Sequence, residues 1–479
     1  MAEDELCYMG ATEALARFAD RSLSPVELMQ AVINRAEAVE GRINALTYTH
    51  FDEALELARA AEARYMRNAP EGPLDGLALA VKDEGAIRGK PLSNGSLLLN
   101  GTIPNYTSPV NQRLLDSGAI VHTRTATPEF SCAGYTWSRL WGITRNPWNP
   151  DFTPGGSSGG SGAALAAGCC TLASGSDIGG SIRIPASASG VVGLKPAYGR
   201  IPEEPPYNLD IFCHQGPMAR SVGDAALMLG VMMGPHPQDI ATQRDIPVLP
   251  RAPGSIRGMK IAYSPDLSIF RVEPEVRRNT EAALDVLRDL GAQIEEVDLG
   301  WQEEWLEDGL NYLKLLMGNV LRDAAAGREA ELTTYARNLI EAAADVPGTA
   351  LARCYQSAGA MYATLGPLLE RFDALICPTN GLPAPAADYD QSRDVPMVDG
   401  APVHPFYGWK LTLPFNMLSR CPVLAVPTGH ATNRVPTGMQ IVGRPWAEAD
   451  VLRIGLAYEQ AVGGWYASAA TRPVIADLT

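Results

Sequence analysis

Ser157 and Ser181 stand in the two glycine turns of Gly155–Arg183, GGSSGGSGAALAAGCCTLASGSDIGGSIR. From Gly155 to Ser181 there are nine glycines and six serines, and Asp177 is the only charged residue. A serine hydroxyl is a weak nucleophile until a neighbouring base takes its proton. Glycine turns meet a second need of acyl transfer, because successive backbone N–H groups can converge on an anion. The apolar run Ala163–Ala167 is expected to form a buried helix, and Thr171–Ala173 to enter a sheet. Each glycine cluster then flanks an ordered element, unlike a Gly/Ser linker. This stretch is the candidate active site.

Several chemistries compete for it. Gly155-Gly156-Ser157-Ser158-Gly159 satisfies G-x-S-x-G, which points to an α/β-hydrolase esterase using Ser157 with His214, His236, His404 or His430. A nucleophile elbow follows a strand, however, and here Pro147, Pro150 and Pro154 precede the serine. The Walker and Rossmann glycine patterns are absent, since Gly85 to Lys90 is too short and runs into Pro91. No His/Cys/carboxylate cluster has ligand spacing, so neither metal nor cofactor is expected.

The base has few candidates among lysines. Six are present, Lys82, Lys90, Lys195, Lys260, Lys314 and Lys410, against thirty-three arginines. The run Leu77–Val81 ends in Lys82-Asp83, as a buried strand with a lysine at its tip would. A surface lysine just past a strand is the plainer alternative. Burial disfavours the charged form and would make Lys82 a base. Upstream of the glycine turns, Phe130, Tyr135, Trp137, Trp141, Trp148 and Phe152 lie in a loop-rich segment. They are either walls of a substrate pocket or anchors that pin the loop.

The positioning elements can be read from periodicity. Ser24-Pro25-Val26-Glu27 is a capping box that opens a helix, and a second helix is expected over Phe51–Met66. Strand Lys260–Tyr263, helix Glu273–Leu290 and strand Gln293–Leu299 alternate as α/β units do. Helices are expected from Glu303 to Phe372, strands at Ala374–Cys377, Val423–Val426 and Met439–Val442, and a last helix over Ala447–Val462. The expected fold is α/β: one large domain over 1–479, with a central mixed β-sheet flanked by helices. Within it, helices of 1–70 wrap the core and a helical insert at 300–372 lies near the pocket.

A net charge of −15 argues against nucleic acid as a partner. Eight cysteines show no C-x-x-C pair, the start lacks a signal peptide, and no apolar run would span a membrane. A cytoplasmic protein without membrane partner is expected, with a homodimer left open.

G-G-S-S-G-G-S followed by G-S-D-I-G-G-S-I-R-I-P-A, together with the V-K-D of Val81–Asp83, G-L-K-P at Gly193–Pro196 and G-M-Q-I-V-G-R-P at Gly438–Pro445, closely resembles the amidase signature family. The resemblance implies a hydrolase of amides with a Ser–cis-Ser–Lys triad and an acyl-enzyme. Carried onto this sequence it makes Ser181 the nucleophile, Ser157 the bridge and Lys82 the base. Ile178, Gly179 and Gly180 then supply the oxyanion N–H groups, and Asp177 and Arg183 form a structural ion pair. Ser158 and Ser176 are expected to hold the turns. Thr127–Ser138 is similar to bacterial amidases acting on aryl amides, nylon oligomers or carbamates. With Phe130, Tyr135, Trp137 and Trp141 as pocket walls, the expected substrate is a small neutral aryl amide or carbamate (urethane). The alternative within the family is the subunit that makes glutaminyl-tRNA as part of a larger complex.

Overall fold

In the computed structural model, which describes residues 3–475, an eleven-stranded mixed sheet runs through the molecule. Its order is Leu46–Thr49, Ile120–Thr125, Ala78–Lys82, Leu172–Ser176, Gln215–Ala219, Val192–Lys195, Val423–His430, Pro436–Val442, Ala374–Pro378, Lys260–Tyr263 and Gln293–Glu296. The single α/β domain expected from the sequence is therefore present, with helices on both faces. The helix Pro25–Ile43 starts at the expected capping box, where Ser24 accepts from Val26 N–H and Glu27 accepts from Ser24 N–H.

Strand pairing places the site. Ala78–Lys82 lies between Ile120–Thr125 and Leu172–Ser176 and is parallel to both. Parallel strands end at the same edge of a sheet, and ligands gather at such carboxyl ends. Lys82, the last residue of one strand, thus comes level with the turn that leaves Ser176. All five residues of Ala78–Lys82 and of Leu172–Ser176 are buried, as strands covered on both faces must be.

The apolar run in the glycine stretch forms the buried helix Gly159–Ala166. The helix starts ahead of that run because glycines let its first turn press onto neighbouring backbone. A Cβ at Gly160 would stand 2.3 Å from Ala126 N. The helices Glu304–Ala325, Thr334–Ala344 and Ala350–Arg371 pack into a second core with Trp301, Phe372 and Phe415. Among the described residues no helix is long and apolar enough to cross a membrane.

Candidate active site

Lys82 is 2% exposed, and its Nζ lies 2.7 Å from Ser157 Oγ and 2.7 Å from Ser176 Oγ. The backbone aligns it as well, since Lys82 N–H donates to Ser174 Oγ at 3.1 Å. Ser157 follows a cis Gly156–Ser157 peptide bond. Its partner turn is tied on by Ser158 N–H, which donates to Ser181 O at 3.1 Å. Ser158 also accepts from Ser176 N–H at 3.3 Å, so it holds the turns as expected. Ser176 does more than that, because its hydroxyl touches the lysine.

Burial pushes the Lys82 pKa down, and the Glu84 carboxylate 3.0 Å away opposes that shift most strongly. Glu84 also accepts from Ser131 Oγ. Burial alone would raise the Glu84 pKa, but Lys82 and the hydroxyls of Ser131 and Ser176 bring it below the usual value. Glu84 was not foreseen from the sequence, although its position two residues after Lys82 was a signal.

Ser181 is 6% exposed and its Oγ has no hydrogen-bond partner among the described residues. It faces a small chamber that Ile178 and Gly179 also line. The turn beneath it is shaped by Asp177, whose carboxylate accepts from Gly180 N–H at 2.8 Å and Ile182 N–H at 3.2 Å. Gly180, expected as the third oxyanion donor, has therefore given its N–H to Asp177. The amides of Ile178 and Gly179 are left without an internal partner among the described hydrogen bonds. Gly180 is required for another reason: its φ is +119°, and a Cβ there would meet Thr412 Oγ1 at 2.1 Å.

Arg183 grips Asp177 through two 2.9 Å bonds, and both side chains are fully buried. The guanidinium also donates to Thr412 O, Gln440 Oε1 and Asn416 Oδ1, while Asn416 Nδ2 donates to Asp177 Oδ1 at 2.8 Å. Burial raises the Asp177 pKa, but Arg183 and Asn416 more than reverse this and hold it well below the usual carboxylate range. The expected ion pair is thus the hub of a satisfied network. Asn416 was not foreseen, and Gln440 lay unassigned inside the quoted G-M-Q-I-V-G-R-P motif.

The aromatic residues divide. Phe130 lines the open cleft above Lys82 and Ser157, together with Tyr106 and Tyr207. Tyr135, Trp137 and Trp141 do not line it, contrary to expectation. Tyr135 is fully buried and accepts from Gln391 N–H. Trp137 donates to Tyr389 O at 2.9 Å, and Trp141 donates to Ser93 Oγ at 2.9 Å and packs edge-on against Tyr48. Their indole and phenol groups find partners inside the protein, so they anchor the loop.

Histidine is not placed to serve Ser157. His214 sits on Phe212 O and Ser419 O, with burial pulling its pKa to about 3, while His404 stacks on Tyr407 and His430 packs at a tilt against Trp148. His236 lies in a turn with Asp239. The esterase alternative therefore lacks its base. No group of three metal-ligating side chains occurs among the described residues.

Comparison with known proteins agrees with this geometry. The Amidase family model matches residues 27–452. The chain belongs to the amidase signature family. It is 34% identical to an acylamidase of Rhodococcus erythropolis over 477 residues, covering 97% of this chain and 98% of that protein. A glutamyl-tRNA(Gln) amidotransferase component of Chloroflexus aurantiacus is also 34% identical, over 490 residues that cover 95% of this chain and 97% of that one. Among solved structures, a bacterial aryl acylamidase of the amidase signature family superimposes with a TM-score of 0.89 at 29% identity, over 95% of this chain and 96% of that one. The protein is a hydrolase of amide C–N bonds.

Proposed function

We propose that this amidase hydrolyses small amides bearing an aryl group on nitrogen, through acylation of Ser181 with Ser157 and Lys82 moving the proton. The observation that carries the reading is the 2.7 Å contact between Lys82 and Ser157 beside the turn that bears Ser181. Neutral Lys82 takes the Ser157 proton as Ser157 takes that of Ser181, and Ser181 Oγ bonds to the carbonyl carbon. The carbonyl oxygen becomes an oxyanion facing the N–H groups of Ile178 and Gly179. The proton then returns from Lys82 through Ser157 to the nitrogen, the C–N bond breaks, and the amine leaves. Water repeats the sequence on the acyl-enzyme and frees Ser181.

Proton delivery from Ser157 sends the amine into the cleft that Ser157 lines, and puts the acyl group in the Ser181 chamber. The cleft suits an uncharged aryl amine. Phe130, Tyr106 and Tyr207 offer rings, and burial pushes the Glu203 carboxyl beside them up to about 8. The likeness to an acylamidase and to an aryl acylamidase supports the same class. An aryl carbamate presents the same carbonyl, and its hydrolysis releases alcohol, amine and carbon dioxide.

Ser181→Ala should abolish hydrolysis of an acyl anilide and labelling by a fluorophosphonate, with the fold unchanged. Lys82→Arg should cost at least about a hundredfold in rate, because arginine stays protonated. Label mapped by peptide mass spectrometry to Ser157 overturns the assignment. A second reading rests on the 34% identity to the amidotransferase component. Turnover of glutamine ahead of an acyl anilide and an aryl carbamate would favour it.

A further inference from the structure

Lys410 is a buried lysine for which the proposed proton relay has no use. It is 4% exposed, yet its Nζ has no hydrogen bond and no carboxylate within 4 Å among the described residues. Its neighbours are rings, with Phe406 at 4.3 Å and Trp409 at 5.2 Å from the ammonium. Its side chain lines the Ser181 chamber, where it is the only basic residue and no Asp or Glu stands among the described lining. Other buried cations have acceptors: Arg183 has Asp177, Arg200 has Glu448 and Lys82 has Glu84, while Lys195, Arg124 and Arg220 donate to backbone carbonyls. A buried polar group without a partner costs free energy unless something binds it.

The surroundings hold Lys410 in place. A Cβ at Gly134 would stand 2.9 Å from Nζ, so the glycine leaves the space the amine occupies. The Lys410 backbone bridges Asn380, and two residues on Thr412 donates to Gly179 O at 2.7 Å and accepts from Arg183 through its carbonyl. One short segment therefore fixes the ammonium and braces the turn of Ser181 together. Such rigid support is what a recognition group needs.

We propose that Lys410 is a specificity residue for the acyl half of the substrate: the Ser181 chamber takes an acyl group that ends in a carboxylate, held by the Lys410 ammonium. The proposal rests on the acylation of Ser181 and replaces the uncharged acyl end expected from the sequence. Burial alone pulls the Lys410 pKa to about 7. An entering carboxylate supplies the missing opposite charge and favours the protonated form. A carboxylate also matches the compact ammonium as a charge-assisted hydrogen-bond acceptor. A neutral alkyl end in the chamber would leave the ammonium's N–H donors unsatisfied.

The test compares succinanilic and glutaranilic acid with butyranilide, which has the same amine and an uncharged acyl chain. The wild type should favour one of the acids by about tenfold or more in kcat/KM. Lys410→Met should cost that acid about a hundredfold, mainly in KM, and cost butyranilide at least about tenfold less. Calorimetric titration with succinate and glutarate gives a readout independent of acyl chemistry. One of them should bind the wild type and Ser181→Ala, but not Lys410→Met. Preference for butyranilide, equal losses on all three anilides, or dicarboxylate binding that survives Lys410→Met would overturn the proposal. If the dicarboxylate binds through Lys410 but fluorophosphonate never labels Ser181, the acylation reading fails while the anion site stands.

Discussion

At the scale of single residues, Lys82 is held between opposing influences. Burial favours its neutral form, while Glu84 at 3.0 Å restores part of its charged form, with a smaller contribution of the same sign from Asp177. Since Glu84 raises the Lys82 pKa, its removal lowers that pKa and makes the neutral amine available at lower pH. Glu84→Gln should therefore move the rising limb of kcat/KM against pH toward acid, by about a unit. A pH–rate series on an acyl anilide measures this, and a limb that stays or moves toward alkali rules out the assignment of Lys82 as the titrating base. The neutral glutamine keeps the size of the side chain and can still hydrogen-bond Ser131.

At the scale of elements, the turn Asp177–Ser181 keeps its shape through side chains delivered by distant segments. Arg183 and Asn416 clamp the carboxylate, and Asp177 in turn spends its oxygens on the amides of Gly180 and Ile182. Removing one partner of a buried pair leaves an uncompensated charge, so Arg183→Met should destabilise the protein by about 3–5 kcal/mol in urea unfolding. The pH dependence has a definite sign. The folded pKa of Asp177 lies below its unfolded value, so its contribution is full above the usual carboxylate range and is lost as pH falls through the folded pKa. Stability of Arg183→Met relative to wild type should therefore improve on acidification below about pH 4, where the stranded carboxylate becomes protonated. A difference that widens on acidification would contradict this account of the turn.

At the scale of the whole molecule, the cysteines are distributed through the core, not gathered at the site. Among the described residues all eight are free, and seven are buried. Cys213 is half-buried in the cleft wall, where burial and then Glu203 push its thiol up, so that little thiolate forms near neutrality. Iodoacetamide at neutral pH should thus leave most of the hydrolytic rate, above about half, after native treatment. Full inactivation with alkylated Cys213 or Cys132 found by mass spectrometry would show that a thiol closes or serves the site. The sheet gives the same molecule its economy of placement, since parallel strands 78–82 and 172–176 bring Lys82 and the turn that leads to Ser181 to one edge.

Local pattern by itself determined most of the elements and singled out Lys82, Ser157 and Ser181 as candidates. Alternation of apolar runs with glycine turns marks buried strands and helices wherever neighbours in sequence are also neighbours in space, and the signature motif is contiguous. The capping box at Ser24 and the strand ending at Lys82 are legible for that reason. Partnerships across the chain were left to the tertiary structure. Whether Trp137 and Trp141 faced substrate or protein depended on Tyr389 and Ser93, and the free N–H count of the oxyanion turn depended on where the Asp177 carboxylate pointed. Lys410 appeared in the sequence as one lysine among six. Only packing, which buries it beside Gly134 and the Ser181 chamber with no acid nearby, sets it apart, because burial and the absence of a partner are properties of a residue's surroundings in space.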